Sequence, residues 1–430
     1  MTYQRELKAI ALPVLVENTL QALMTLADTY LVSQLGLVVI SGVALSGNIL
    51  AIYQALFIAV GAVVSAAIAK SFAQKKENER LHLSQMAIQL TIWLSVILGG
   101  LSLGFGESLL ALLGAGRAVS QAGGQYLAIV GGASLSLGLM VCLGAMLRAQ
   151  GQTKWPMVVS FTVNALNILL SGLAVFVFRW GVVGVATGTV IARFVGVGLL
   201  WHRLSYRPKR LNFQIDKQLL QQVFPAAGER LMMRAGDLVV VALIVQLGTT
   251  VVAGHAIGET LIQFNYLPAM SVAVATVILS AQAHGQQDDQ LLEEIRKASY
   301  WLAFRLVALV SGTVLLFSPW LIRLYTHDAQ AILAAQQVVW MAFIGFPLAT
   351  GTLILTALWQ GVGRARIPFV ATTVGMWALR VGLGFLLTIV LGLGLSGVLI
   401  ATIADNAFRV FYLGYRYQKL FRRAILAKKS

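Results

Sequence analysis

Glu17 and Asp28 stand inside Pro13–Gly36, a stretch otherwise apolar and long enough to cross a bilayer, which takes about 20 residues. An acidic side chain at mid-membrane costs roughly 2.5–3.5 kcal/mol on insertion scales, so an intramembrane carboxylate is a candidate functional group. Glu17, Gln21, Met24 and Asp28 fall at i, i+4, i+7 and i+11, on one helix face that should look into protein or a wet cavity. The helical neighbours of Asp28 are Met24, Thr25, Leu31 and Val32, so no base of its own helix can neutralise it. A carboxyl group so placed can take up and release a proton, or ligate a cation, as a cavity around it opens and closes. The plainer reading is a structural hydrogen bond to another helix. Glu17 lies nearer a helix end, where it either joins the site or meets water.

Other polar residues invite the same double reading. Asn164, Asn167 and Ser171 share a face at i, i+3 and i+7; they are either site ligands or interhelical hydrogen bonds. Thr189 either lends its hydroxyl to the site or bonds its own backbone. Arg234–Asp237 and Asp405–Arg409 have the spacing to neutralise themselves on one helix and read first as structural. Glu229 lacks such a neighbour and is expected to face a central cavity. With Gln21 and Asn164 it makes the substrate-contact set. His255 and Glu259, four apart, are a titrating pair or a packing pair at the membrane edge. Tyr266 and Trp377 are among several aromatics whose ring faces suit cations, although packing explains most aromatics in such a chain.

These residues need helices to hold them. The chain has 430 residues, 58% hydrophobic and 11% charged, with mean hydropathy +0.81. Soluble domains are nearer a quarter charged. The expected fold is all-α: a polytopic membrane protein with twelve transmembrane helices. The apolar segments lie near 9–32, 43–69, 85–105, 122–147, 157–178, 181–203, 219–247, 252–281, 298–319, 331–360, 367–390 and 395–418. Pro156 and Pro368 suit first helical turns, whereas Pro268 and Pro347 should kink or break theirs. The single cysteine, Cys142, allows no intrachain disulfide and reads as a small packed residue. The N-terminal apolar segment is too long for a cleaved signal peptide and is kept as a span.

The net charge of +16 is a topology signal. Counting Lys and Arg in alternate loops puts 23 on one side and 3 (Arg117, Arg179, Arg323) on the other. The positive-inside rule then places both termini in the cytoplasm of a multi-pass protein of the cell (inner) membrane. The basic loops meet anionic lipid headgroups, and nucleic acid is not an expected partner.

The strongest internal signal is a repeat at an offset of about 212. Pro13 and Glu17 match Pro225 and Glu229, and Gln34-Leu35-Gly36 matches Gln246-Leu247-Gly248. Gly151 and Pro156 match Gly363 and Pro368. With a one-residue shift, GVATGT (184–189) matches GVLIAT (397–402). Two pseudo-symmetric six-helix bundles follow, residues 1–210 and 211–430, with the basic loop 203–218 as the seam. An even number of helices per half puts both the same way up, related by an axis along the membrane normal. Two such bundles enclosing a cleft that opens to each side in turn make a secondary transporter. No GxxxxGK[ST] motif points to direct ATP use.

With these residues in hand, the chain resembles the multidrug and toxic compound extrusion (MATE) family over nearly its whole length. The resemblance is carried by Asp28-Thr29-Tyr30-Leu31-Val32-Ser33-Gln34-Leu35-Gly36, by Ala253-Gly254-His255-Ala256-Ile257, by Asn164 and Asn167, and by the Gly-x-x-x-Ala/Gly-Thr turns of helices six and twelve. It implies an antiporter that exports amphipathic, often cationic compounds against inward H⁺ or Na⁺. No cofactor is implied beyond that ion, and a monomer suffices. The implied cation site of prokaryotic members falls on Asp28, Asn167 and Thr189. The family pattern has an acid four residues after the Asn, where this sequence has Ser171. Losing that carboxylate weakens a site for a hard cation, which wants several oxygen ligands, and favours protons or a site leaning on Glu17.

Three other readings compete. A lipid or lipid-linked saccharide flippase of the same superfamily would carry more helices or a strongly basic cavity. An intramembrane transferase would show clustered acids at a membrane face, and Asp288-Asp289 is alone. A channel would need a polar filter. The chain is therefore read as a transporter and not an enzyme.

Overall fold

A computed structural model of the chain describes residues 2–204 and 217–422. The seam 205–216 and the basic tail 423–430, which supply Arg207, Lys209, Arg210, Arg423, Lys428 and Lys429 to the loop count, lie outside the described residues. The chain divides into two compact units, Leu12–Leu220 and Gln221–Ser430, the latter joined by Met1–Ala11.

The N-terminal unit carries α1 (Thr2–Ser33) from Leu12 onward, α2 (Leu37–Ala73), α3 (Glu77–Leu112), α4 (Arg117–Gly132), α5 (Ser134–Ala149), α6 (Lys154–Gly172) and α7 (Gly181–Arg203). The C-terminal unit carries α8 (Lys217–Val245), α9 (Thr249–Gly285), α10 (Asp289–Tyr325), α11 (Ala329–Gly361), α12 (Arg366–Val374) and α13 (Leu395–Tyr417). No strand occurs among the described residues. Short π-helical segments extend α6 (Leu173–Val177), α12 (Gly375–Leu383 and Leu386–Val390) and α13 (Gln418–Arg422).

Among the described residues, ten helices are long and apolar enough to cross a membrane, eleven when α4 and α5, bent by 45° at Ala133, count as one span. The twelfth rod, α8, is interrupted by Glu229, Arg230, Arg234 and Asp237, which lower its hydropathy. The apolar segments thus become helices, most of them longer than the apolar runs. At 1.5 Å per residue, a 37-residue helix such as α2 reaches about 55 Å, beyond the roughly 30 Å hydrocarbon layer.

Of the two outcomes expected at Pro268 and Pro347, a kink or a break, no break occurs: both sit within continuous helices, α9 and α11. The break falls instead after Gly131-Gly132, where α4 presses on α3. A Cβ on Gly131 would strike Ser102 Oγ, so backbone contact and not proline chemistry sets this bend.

The repeat persists in three dimensions. Helices α2, α3, α4 and α6 begin 212 residues before α9, α10, α11 and α12. Gly36 and Gly248 take φ of 100° and 103° at matching turns, a region only glycine enters cheaply. Gly42 meets Gly123 backbone to backbone, and Gly254, its repeat partner, meets Ala331 on α11 in the same way. Each unit closes on its own apolar core. Phe57, Leu110 and Leu127 are buried in one, and Ile244, Val338 and Val398 in the other.

Candidate functional site

Asp28 lies five residues before the end of α1, and its helix leaves it half-buried. Thr25 and Thr29 turn their hydroxyls to their own helix, donating to the Gln21 and Thr25 carbonyls, and so offer it nothing. Its Oδ1 is buried and has no hydrogen-bond partner among the protein groups. No Lys, Arg or His nitrogen comes within 4.0 Å of it among the described residues.

The polar face of α6 is buried, as its spacing requires once α7 packs on it: Asn164 is 7% exposed, Asn167 and Ser171 0%. Asn167 Nδ2 donates to Thr189 Oγ1 at 2.9 Å, while the Thr189 hydroxyl donates to the Val185 carbonyl at 3.0 Å. Thr189 therefore bonds its own backbone and also accepts from the neighbouring helix. Gly188 permits this approach, because a Cβ there would come within 3.3 Å of Ser171 Oγ. Asn167 Oδ1 and Ser171 Oγ are left buried without protein partners, as is Asn164 Nδ2. Orphaned buried acceptors cost free energy, roughly 1–3 kcal/mol each, and are tolerated where a ligand will use them.

Two residues that the sequence did not single out complete the surroundings. Tyr126 of α4 is buried and shares an apolar cluster with Val32 of α1 and Val185 and Ala186 of α7. Arg193 of α7 interacts electrostatically with both Asp28 and Tyr126. Its place at i+4 from Thr189 was the available signal.

Glu17 is not part of this cluster. Its Oε2 receives Arg148 Nη1 of α5 at 2.9 Å, so the expected ion ligand Glu17 is held here in a protein ion pair. Arg148, counted as a loop charge, is 13% exposed and sits in the last turn of α5. Gln21 is exposed on the unit's surface.

Glu229 is also held. It is 4% exposed, and its carboxylate accepts from Gln360 Nε2 at 3.2 Å and Thr372 Oγ1 at 3.3 Å. The residue expected at a central cavity is here covered by α11 and α12 of its own unit. Around it runs an ionic network. Arg409 grips Asp405 through two contacts, 2.6 and 2.8 Å, as their spacing predicts. Asp237, however, pairs with Arg380 at 3.3 Å rather than with Arg234, which is exposed. Arg380 also reaches Asp405 at 3.0 Å, from the π-helical segment after α12. Gly375 makes room, since any Cβ there would strike Asp405. His255 and Glu259 lie 3.7 Å apart on α9. Tyr266 lines, with Asn265 and Phe346, a small, mostly apolar pocket between α9, α10 and α11.

Comparison with known proteins follows the same lines. The MatE family model matches residues 13–173 and 225–386, two stretches set 212 residues apart. The chain is 28% identical to a probable multidrug resistance protein NorM of Thermotoga maritima, across 99% of this chain and 95% of that protein. It is 26% identical to the transporter YisQ of Bacillus subtilis, across 94% and 92%. Among solved structures, a MOP superfamily transporter from Pyrococcus furiosus superposes with a TM-score of 0.89 at 21% identity, covering 99% of this chain and 97% of the other. An outward-facing multidrug resistance MATE transporter gives 0.88 at the same identity and coverage.

Proposed function

Because the chain belongs to the MatE family of membrane transporters, we propose that it is a cation-coupled antiporter that exports amphipathic, often cationic compounds by alternating access. One observation carries this reading. The intramembrane acids Glu17, Glu229, Asp237 and Asp405 each have a partner, whereas the Oδ1 of Asp28 has none. An acid kept inside a membrane protein at that cost is suited to bind and release a cation, H⁺ or Na⁺, and Asn167 and Ser171 carry orphaned oxygens of their own on α6. Asn167, Thr189 and Asn164 are the polar residues of α6 and α7 that this reading adds to Asp28. The repeat supports the transport cycle, since two like-oriented six-helix halves are the architecture of rocking transporters. The charge bias of the loops supports cytoplasmic termini in a multi-pass protein of the cell membrane.

The test is dye efflux from proteoliposomes under imposed pH or Na⁺ gradients. Asp28→Asn is expected to lower ion-driven efflux at least about tenfold while leaving dye binding in place, because it keeps size and removes the titratable charge. Undiminished efflux by that variant would remove Asp28 from the coupling role.

A further inference from the structure

We propose that Arg193 is a tethered cation beside Asp28, and that it makes this site exchange protons and reject Na⁺. The inference rests on the coupling role given to Asp28 above. It starts from the packing of three helices. Val32 of α1, Tyr126 of α4 and Val185 and Ala186 of α7 share one apolar cluster. As the first and sixth spans of the unit, α1 and α7 run in opposite directions. One turn back from Val32 along α1 is Asp28; one turn on from Val185 along α7 is Thr189, and the next turn brings Arg193. Helical side chains lean toward their own N-terminus, so the Arg193 side chain reaches back to the level of Thr189 and Asp28.

The electrostatics agree with that placement. Arg193 acts on Asp28 and Tyr126, and these are the titratable or charged groups that face Asp28 from α7 and α4. Asn167 and Thr189 are uncharged. The two charges are nevertheless not locked. Arg193 Nη1 and Asp28 Oδ1 are each buried with no hydrogen-bond partner, and no nitrogen–oxygen contact within 4.0 Å joins the two side chains.

This arrangement suits a proton and opposes a metal cation. A hard cation needs several oxygen ligands around it. A guanidinium carries donors only and is always charged, so it can neither ligate nor step aside by losing its proton. Ser171 stands where the resembled family pattern has an acid, so with Arg193 in place the local charge is already balanced. A second fixed positive charge a few ångströms away, at an effective dielectric of about 20, weakens cation binding on the order of 100-fold. A proton needs one carboxylate oxygen. It forms an O–H bond on Asp28, the carboxylate becomes a neutral acid, and nothing else leaves or enters. Arg193 then loses its counter-charge, so protonation frees the guanidinium and couples proton uptake to a change in how α1 meets α7.

The experiment has two arms on the purified, full-length protein. In the first, direct binding of radioactive Na⁺ is measured for wild type, Arg193→Lys, Arg193→Gln and the double variant Arg193→Gln/Ser171→Asp. Wild type and Arg193→Lys are expected to bind none at millimolar Na⁺. Arg193→Gln should gain affinity, and the double variant should gain more, at least about tenfold. In the second arm, reconstituted wild type should move a cationic dye under a pH gradient and not under a Na⁺ gradient at equal pH. Na⁺ binding by wild type as tight as by the double variant, or dye efflux driven by Na⁺ alone in wild type, overturns the proposal. The second of those readings uses the unaltered protein alone, so a misfolded variant does not shield the proposal. Should neither gradient move any dye, the antiporter reading fails, and the binding arm still decides the part assigned to Arg193.

Discussion

Glu17 and Arg148 form an interhelical ion pair at 2.9 Å, joining α1 to the end of α5. The same separation of 131 residues joins Glu229 to Gln360, the repeat partners of both residues. One half of the protein therefore uses a charge pair where the other uses an amide, and brings its compensating arginine, Arg409, from α13 by way of Thr372. The pair holds helices together, whereas Asp28 Oδ1 on the same helix has no such partner among the described residues.

That division of labour predicts different phenotypes for Glu17 and Asp28, the two acids in the apolar stretch of α1. Arg148→Ala strands Glu17 in a half-buried position and should destabilise the protein by about 2 kcal/mol, below the 3–5 kcal/mol of a fully buried pair. Glu17→Gln should cost less and leave the pH dependence of efflux in place. Thermal unfolding in detergent reads the first effect. A double-mutant cycle between Glu17 and Arg148 separates their coupling from unrelated losses. Single losses that simply add would mean that the ion pair contributes nothing.

The second prediction concerns the network of the C-terminal unit. Asp405 is fully buried and receives both Arg409 and Arg380. Asp405→Ala leaves two guanidinium groups without their shared acid and should cost about 3–5 kcal/mol or prevent folding. Arg234→Ala, at an exposed position with no salt bridge, should change stability by less than about 0.5 kcal/mol. The comparison is made by the midpoint of thermal unfolding. Equal midpoints for the two variants would show that the network is dispensable.

A third prediction follows from the backbone contact between α2 and α4. A Cβ on Gly42 would lie 2.6 Å from the Gly123 nitrogen, so Gly42→Ala must push the helices apart, at about 1–3 kcal/mol. Gly47, on the same helix, has nothing within 4 Å of the place a Cβ would take. There Gly47→Ala should be neutral or stabilising by up to about 1 kcal/mol, from helix propensity alone. If both variants lose stability equally, close packing is not what holds Gly42 in place.

Much of this protein was legible in the order of its residues. Hydropathy along the chain located the twelve rods, because a bilayer demands long apolar helices whatever they pack against. The 212-residue offset marked the two halves, since matched glycines and prolines report matched turns. Asp28 stood out because an acid without a neighbour on its own helix is rare in a membrane. Local spacing also paired Asp405 with Arg409.

What spacing along one helix could not decide was partnership between helices. Glu17 with Arg148, Glu229 with Gln360 and Thr372, and Asp237 with Arg380 are separated by 131 to 143 residues. A carboxylate in a low-dielectric interior takes the nearest donor in space, and only packing determines which helix supplies it. The bend at Ala133 was hidden for the same reason: it answers to contact with α3 and not to any proline. Arg193, an ordinary basic residue in an apolar run when read along the chain, becomes the neighbour of Asp28 only once α1, α4 and α7 come together.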